Sequence, residues 1–242
     1  MKLFFLHFYI LCLVIFLGAC NSTPSEPERI MLDVQLAEDI IADPVTSRDP
    51  STGRALSNNL YSLFDLDTNE LILSSSVTDK DQRRTDSSGT IWDIGFRGTT
   101  VIFNGGVSGP GEATAQILTL PFETVFDEPL PSDGYVTDGS NTTCPSIETP
   151  AGPVPGSTLA ICTGSGNGWY NYNSNTQLIT PIPGRTIAFT TATGNYGALR
   201  FLSYYKGNPN PPDSDQPSRH YTFEYLVQPD GSRNLFRMPS DN

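Results

Sequence analysis

The sequence predicts an all-β chain folded as a single domain, a β-sandwich or a partly closed antiparallel barrel. Three observations predict it. The apolar runs are short and are separated by turn residues at frequent intervals. Gly (21) and Pro (20) are plentiful, above average yet below the level that marks disorder. No long segment carries the 3.6-residue apolar period of an amphipathic helix.

Taken in order, Ile30 to Gln35 reads as a first strand and Glu38 to Ala42 as at most a weak helical turn. Residues 43–58 form a polar loop with Pro44 and Pro50. Leu60–Leu66 and Glu70–Leu73 flank Asp67-Thr68-Asn69, a β-hairpin with turn chemistry at its tip. The stretch from Asp65 starts like an EF-hand loop, but Glu70 stands at the glycine position and Ser76 where the bidentate Glu belongs. It reads as a turn. Ser74–Gly89 is a charged loop. Ile91–Phe96 and Thr99–Phe103 are strands joined at Arg97-Gly98, followed by the Gly-rich loop Gly105–Gly111 and a strand over Ala113–Leu120. Pro121–Gly168 is loop-like, with Thr158–Cys162 its one apolar run, and a loop of that length is functional or disordered. Order restarts at Trp169–Tyr172. Arg185–Thr190 and Ala198–Tyr205 pair around Ala192–Asn195. His220–Val227 and Asn234–Arg237 flank the turn Gln228–Ser232, where Pro229 fixes φ and Gly231 supplies φ > 0.

The first residues, MKLFFLHFYILCLVIFLGAC, have one basic residue, an apolar run from Leu3 to Leu17, and then Leu-Gly-Ala-Cys. This is an export signal ending in a lipobox, with Cys20 as the lipidated residue. The expected organisation is a signal peptide over 1–19, a lipidated Cys and polar tether over 20–29, and a β domain over 30–242. Acyl chains on Cys20 would tie the domain to a membrane. The outer membrane fits best, since Asn21 does not resemble an inner-membrane retention residue.

The formal net charge is −12, which disfavours nucleic acid as a partner and charge-driven adhesion to anionic lipid. Cys144 and Cys162 remain beyond the anchor. In an exported chain they are expected to form a disulfide, the alternatives being free thiols or an iron thiolate. His220 is the one histidine beyond the leader, so a Ser-His-Asp triad would have to use it. Alternation sets Tyr221, Phe223 and Tyr225 on one strand face and His220 on the other. There is no HExxH, P-loop or GxSxG motif, and no enzymatic activity is expected. Trp169, Tyr170 and Tyr172 beside the long loop read either as a stacking platform for a sugar or planar cofactor or as core.

The run IWDIGFRGTTVIFNGGVSGPGEATA resembles the Trp-Asp strand, Arg-containing turn, second strand, Asn-Gly-Gly turn and Gly-rich tail of the HmuY-like haem-binding lipoproteins. NLYSLFDLDTNELI is similar to the family's early hairpin, with Asn69 where Gly is usual. RTIAFTTATGNYGALRFLSYY and HYTFEYLVQPDGSR resemble its two late hairpin segments. The likeness runs over roughly residues 55 to 236, in the family's order. It implies an HmuY-like all-β fold that holds one haem and passes it to an outer-membrane transporter. The family's axial ligands, His or in some relatives Met, come from the segments on either side of the Trp, here Cys144–Gly168 and Tyr170–Thr180. Neither segment contains His or Met, and the family's ligand falls near Asn173 or Ser174, both poor iron donors. Haem would then be held by Tyr170, Tyr172 or His220 as donors, with Tyr172 and His220 as the candidate iron ligands. Trp169 would pack on the ring, and Arg97 or Arg185 would pair with the propionates. The other readings are a surface glycan-binding lipoprotein that uses the Trp169–Tyr172 aromatics and a protein-interaction lipoprotein with no small ligand.

Overall fold

The structure, a computed structural model, describes residues 30–149 and 152–237. The leader, Cys20 and the tether to residue 29 lie outside the described residues. The elements in chain order are β1 (Ile30–Met31), β2 (Gln35–Ile41), β3 (Ser47–Arg48), β4 (Ala55–Leu56), β5 (Ser62–Asp65), β6 (Glu70–Leu73), α1 (Lys80–Ser87), β7 (Ile94–Arg97), β8 (Thr100–Phe103) and β9 (Thr114–Leu118). A 3-10 helix follows (Phe122–Phe126), then β10 (Tyr170–Asn173), β11 (Leu178–Pro181), β12 (Thr186–Thr190), β13 (Tyr196–Tyr205), β14 (Ser218–Val227) and β15 (Phe236–Arg237).

Two antiparallel sheets face each other, one ordered β6-β5-β7-β8 and the other β2-β14-β13-β12-β9. Neither closes on itself, so of the two predicted architectures the chain adopts the sandwich. Three two-stranded ribbons, β1-β15, β3-β4 and β10-β11, lie outside these sheets.

Alternation along the strands builds the core. Phe64, Phe96 and Phe103 point inward from the smaller sheet, and Phe189, Phe201, Tyr221, Phe223 and Tyr225 meet them from the larger. Phe96 stacks on Tyr221 at 4.6 Å, Phe64 meets Phe223 edge-on at 5.6 Å, and Phe103 lies 6.0 Å from Phe189. Each such ring stabilises the fold by roughly 1.5–3 kcal/mol through burial, and offset or edge-on pairs add to that. The outer face of the larger sheet, at Ala188, Ala198 and Leu226, is covered by Phe122 and Val125 of the 3-10 helix with Leu130 and Leu235. Trp92, Leu63, Leu73 and Ile102 form a third cluster on the smaller sheet.

Five local expectations change. The strand expected over Ile30–Gln35 stops at Met31, and Gln35 opens the next strand, β2. Glu38 to Ala42 belongs to strand β2, not to a helical turn. Its apolar spacing of three, Ala37 to Ile40, comes from a β-bulge. Ala37 and Ile40 pair with Phe223 and Tyr221, so β2 holds one extra residue, and Asp39 takes φ 54°. The charged loop 74–89 contains α1, whose first turn is capped by the Asp79 carboxylate accepting from Gln82 N at 2.8 Å. The polar loop 43–58 contains the short pair β3-β4. The segment after Tyr172 returns as β11, giving a ribbon in which Tyr172 sits opposite Ile179.

Glycine is required where β12 and β13 pack. A Cβ on Gly197 would run into the Phe189 ring and lie 2.6 Å from the Leu226 carbonyl oxygen, which the strand holds in place. Gly197→Ala is expected to lower stability by about 1–3 kcal/mol, read as a drop in Tm. An unchanged Tm would contradict this packing.

Candidate functional site

The two segments that flank Trp169 are built against each other. Cys144 and Cys162 form a disulfide with Cα atoms 5.3 Å apart, closing the loop between them. From Cys162 the chain runs through Gly164–Gly168 straight onto the ribbon. Gly166 N donates to Tyr170 O at 2.8 Å, and Tyr172 N donates to Ser165 Oγ at 2.8 Å. Arg185 donates to the carbonyls of Gly166 and Gly168 and so clamps the loop from the start of β12. Ile182 N bonds Trp169 O at 3.0 Å, and Ile179 N bonds Tyr205 Oη at 3.0 Å, fastening the ribbon to β13.

The aromatic candidates separate by depth. Trp169 is 3% exposed, its ring 4.7 Å from Phe201 and 5.1 Å from Tyr221, and its Nε1 donates to Thr99 O at 2.9 Å. It is a core residue, and its faces are taken by protein rings rather than offered to a ligand. Tyr170 is buried beside it at 5.1 Å. Tyr172 is 47% exposed, because the ribbon has by then left the sandwich. His220 is half-buried, with Nδ1 2.9 Å from Ser218 O. It lines a cleft of about 360 Å³ with Pro44, Val45, Arg48, Asp215 and Pro217. Tyr172 does not line that cleft, so the two candidate iron donors do not share it. Arg97 lies 4.5 Å over the Tyr61 ring. Arg185 is committed to backbone carbonyls, and its buried Nε has no hydrogen-bond partner among the described residues.

Beside the disulfide loop lies a cleft of about 470 Å³ lined by Gln116, Ser140, Asn141, Thr142, Asn167 and Arg185, among others. Its polar groups are amides, hydroxyls and one guanidinium. It suits a polar ligand better than an apolar ring system.

Sequence reasoning missed three buried polar residues that organise this region. Asn104 is fully buried. Its Nδ2 donates to Gly89 O and Trp92 O, and its Oδ1 accepts from Gly111 N, so the Asn-Gly-Gly turn is a structural knot. Asp93 accepts from Leu66 N at 2.8 Å and from Ala192 N at 2.7 Å, joining the two sheets. Burial, with the nearby charges of Asp67 and Asp65, pushes its carboxyl up to about 7 against those two donors. Asp138 accepts from Phe103 N, Ala160 N and Ser108 Oγ, at 2.9, 2.7 and 2.6 Å, and so ties the disulfide loop to β8. In the sequence Asp93 and Asn104 stand out only as parts of the Trp-Asp strand and the Asn-Gly-Gly turn, and Asp138 as one polar residue of the long loop.

No family model matches the chain, and no curated protein matches it. Among solved structures it is similar to a Bacteroides vulgatus protein assigned as HmuY-like and haem-binding, at 18% identity and TM-score 0.42, covering 76% of this chain and 96% of that one. It is also similar to the apo form of an HmuY analogue of Tannerella forsythia, at 14% identity and TM-score 0.38, covering 84% and 97%. A Bacteroides fragilis chain assigned as a lipoprotein matches at 13% identity and TM-score 0.41, covering 69% and 82%.

Burial raises the Asp138 carboxyl above its ordinary value, against the three donors. The folded chain therefore takes up a proton there that the unfolded chain releases. That contribution is fully present below about 3.8, the ordinary value, and is lost as pH rises through the raised one. Asp138→Asn cannot titrate and turns an NH2 toward at least one donor. It is expected to cost about 1–3 kcal/mol in urea unfolding at pH 4. The gap to wild type should narrow as pH rises to 7, whereas a gap that widens would reverse the assigned shift.

Proposed function

We propose that this chain is an exported, lipid-anchored binding protein, not an enzyme, that captures haem or a related flat ligand at the β10-β11 ribbon. Cys20 would hold it on the outer membrane, and an outer-membrane transporter would take the cargo. The observation that carries this reading is Tyr172. It is the exposed ring on the ribbon, one or two residues before Asn173 and Ser174, near which the HmuY resemblance puts an axial donor. A phenolate oxygen is a recognised ligand for ferric haem. Both cysteines of the region are tied in the disulfide, so they offer no thiolate. The donor chemistry thus fits ligation through one tyrosine and does not fit the family's His or Met ligands. His220, in its separate cleft, is the weaker candidate.

A second reading is favoured by one observation, the amide- and hydroxyl-lined cleft beside the disulfide loop. Those groups suit a glycan, held without a stacking ring because Trp169 is turned into the core.

Haem titration of the full chain in detergent separates the two. The haem reading expects a saturable one-to-one shift of the Soret band that changes on reduction. Tyr172→Ala should abolish the iron-ligand features, while His220→Ala should leave them. No shift beyond that of free haem, with an intact β-type circular dichroism spectrum, would overturn the haem reading in favour of the polar cleft.

A further inference from the structure

Away from the ribbon, at the tip of the β5-β6 hairpin, three carboxylates converge. Ligand oxygens of Asp65, Asp67 and Asp93 all lie within 4.8 Å of one another. They come from different places: the end of β5, the hairpin turn, and the residue before β7. Proximity of this kind between like charges costs free energy unless something offsets it.

The donors are only partly used by the protein. Asp65 Oδ1 accepts from Asp67 N and Thr68 N, while its Oδ2 accepts only from the Thr68 hydroxyl. Each Asp93 oxygen accepts one backbone N–H and keeps a second lone pair. Asp67 is exposed and lines a cleft of about 530 Å³ with Leu66, Thr68, Asn69 and Tyr225.

Tyr225 supplies an independent observation. It is 0% exposed, and its hydroxyl oxygen is buried without a hydrogen-bond partner among the described residues. Such an orphan is costly in a core. Tyr225 lines the same cleft as Asp67, at the end of the sandwich where the three carboxylates meet. Three carboxylates and a buried hydroxyl at one cleft make a donor set of oxygen alone.

We propose that Asp65, Asp67 and Asp93, with the Tyr225 hydroxyl beside them, form a divalent-cation site selective for Ca²⁺. Every donor is oxygen, with no imidazole or thiolate, so soft and borderline metals are disfavoured. The donors are irregularly spaced and partly pre-committed. Ca²⁺ tolerates that at 2.3–2.6 Å, whereas Mg²⁺ demands near-octahedral geometry. Two positive charges would offset the mutual repulsion of these carboxylates and favour their ionised forms. Since Asp93 already bonds Leu66 on one side and Ala192 on the other, the ion would brace the contact between the two sheets. The proposal is independent of the haem reading.

The test is thermal unfolding of the full chain, first with EDTA and then with Ca²⁺ or Mg²⁺, alongside tyrosine-sensitised Tb³⁺ emission. Ca²⁺ at tenfold excess over its Kd is expected to raise Tm by roughly 3–6 °C, with a much smaller Mg²⁺ effect. Tb³⁺ emission should saturate and be displaced by Ca²⁺. Asp67→Asn changes an exposed carboxylate at the turn and should abolish both responses while keeping the β-type circular dichroism spectrum. Glu128→Gln, an exposed carboxylate elsewhere, should keep both. Absence of a saturable response, or equal responses in Asp67→Asn, would overturn the site. Equal stabilisation by Mg²⁺ would overturn the assignment to Ca²⁺.

Discussion

The fold depends on the burial of Tyr221 between the two sheets. Its ring stacks on Phe96 from the facing sheet and touches Phe201 and Trp169. Its hydroxyl has to find a partner in the core, and it finds Gly98 O at 2.9 Å, at the β7-β8 turn. Trp169 donates to Thr99 O, one residue further along the same turn. The Arg97-Gly98 turn is therefore held by two aromatic polar tips that arrive from the other side of the molecule. Gly98 takes φ 54°, which suits glycine, and its N–H bonds Ala42 O at the end of β2. One turn thus gathers β2, β14 and the ribbon.

That arrangement explains how a long Gly- and Pro-rich segment can present a defined surface. The disulfide shortens the free loop, Asp138 pins its base, Arg185 clamps its last turn, and Trp169 seats the start of the ribbon in the core. What remains outside is the far end of the ribbon, with Tyr172 on it. A ligand site there would be carried by a rigid support while staying open to solvent, the combination that capture and hand-over of a cargo require. Asp93 has the corresponding role at the other end of the sandwich, where it joins β5 to the turn after β12.

The all-β class and most hairpins were legible because alternation and turn residues are local properties. Leu60–Leu66 with Glu70–Leu73, and the β12-β13 and β14 runs, needed nothing beyond period two and Asp, Asn or Gly at the turns. Strand β2 was obscured because the bulge at Asp39 shifts the apolar spacing from two to three, which imitates a helix. Helix α1 has no buried residue, so no apolar stripe could announce it; the pair Asp79 and Gln82 was its only mark. The site was harder to read. Trp169, Tyr170 and Tyr172 look alike in sequence, and only tertiary packing separates two core rings from one exposed ring. Asp65, Asp67 and Asp93 meet because β7 returns beside β5, a long-range pairing that spacing along the chain cannot express.

The measurement that tests this account most directly is native-state hydrogen exchange of the full chain, resolved by amide. If the ring cluster around Tyr221 and Trp169 binds the ribbon and disulfide loop to the sandwich, the amides of Gly166 and Ile182 should open only with the central amides of β13 and β14. All would then share one free energy of opening. Exchange of Gly166 and Ile182 by a separate, lower-energy opening, with β13 and β14 still protected, would contradict the account. The ribbon would then be an appendage, and the support assigned to Tyr172 would fail with it.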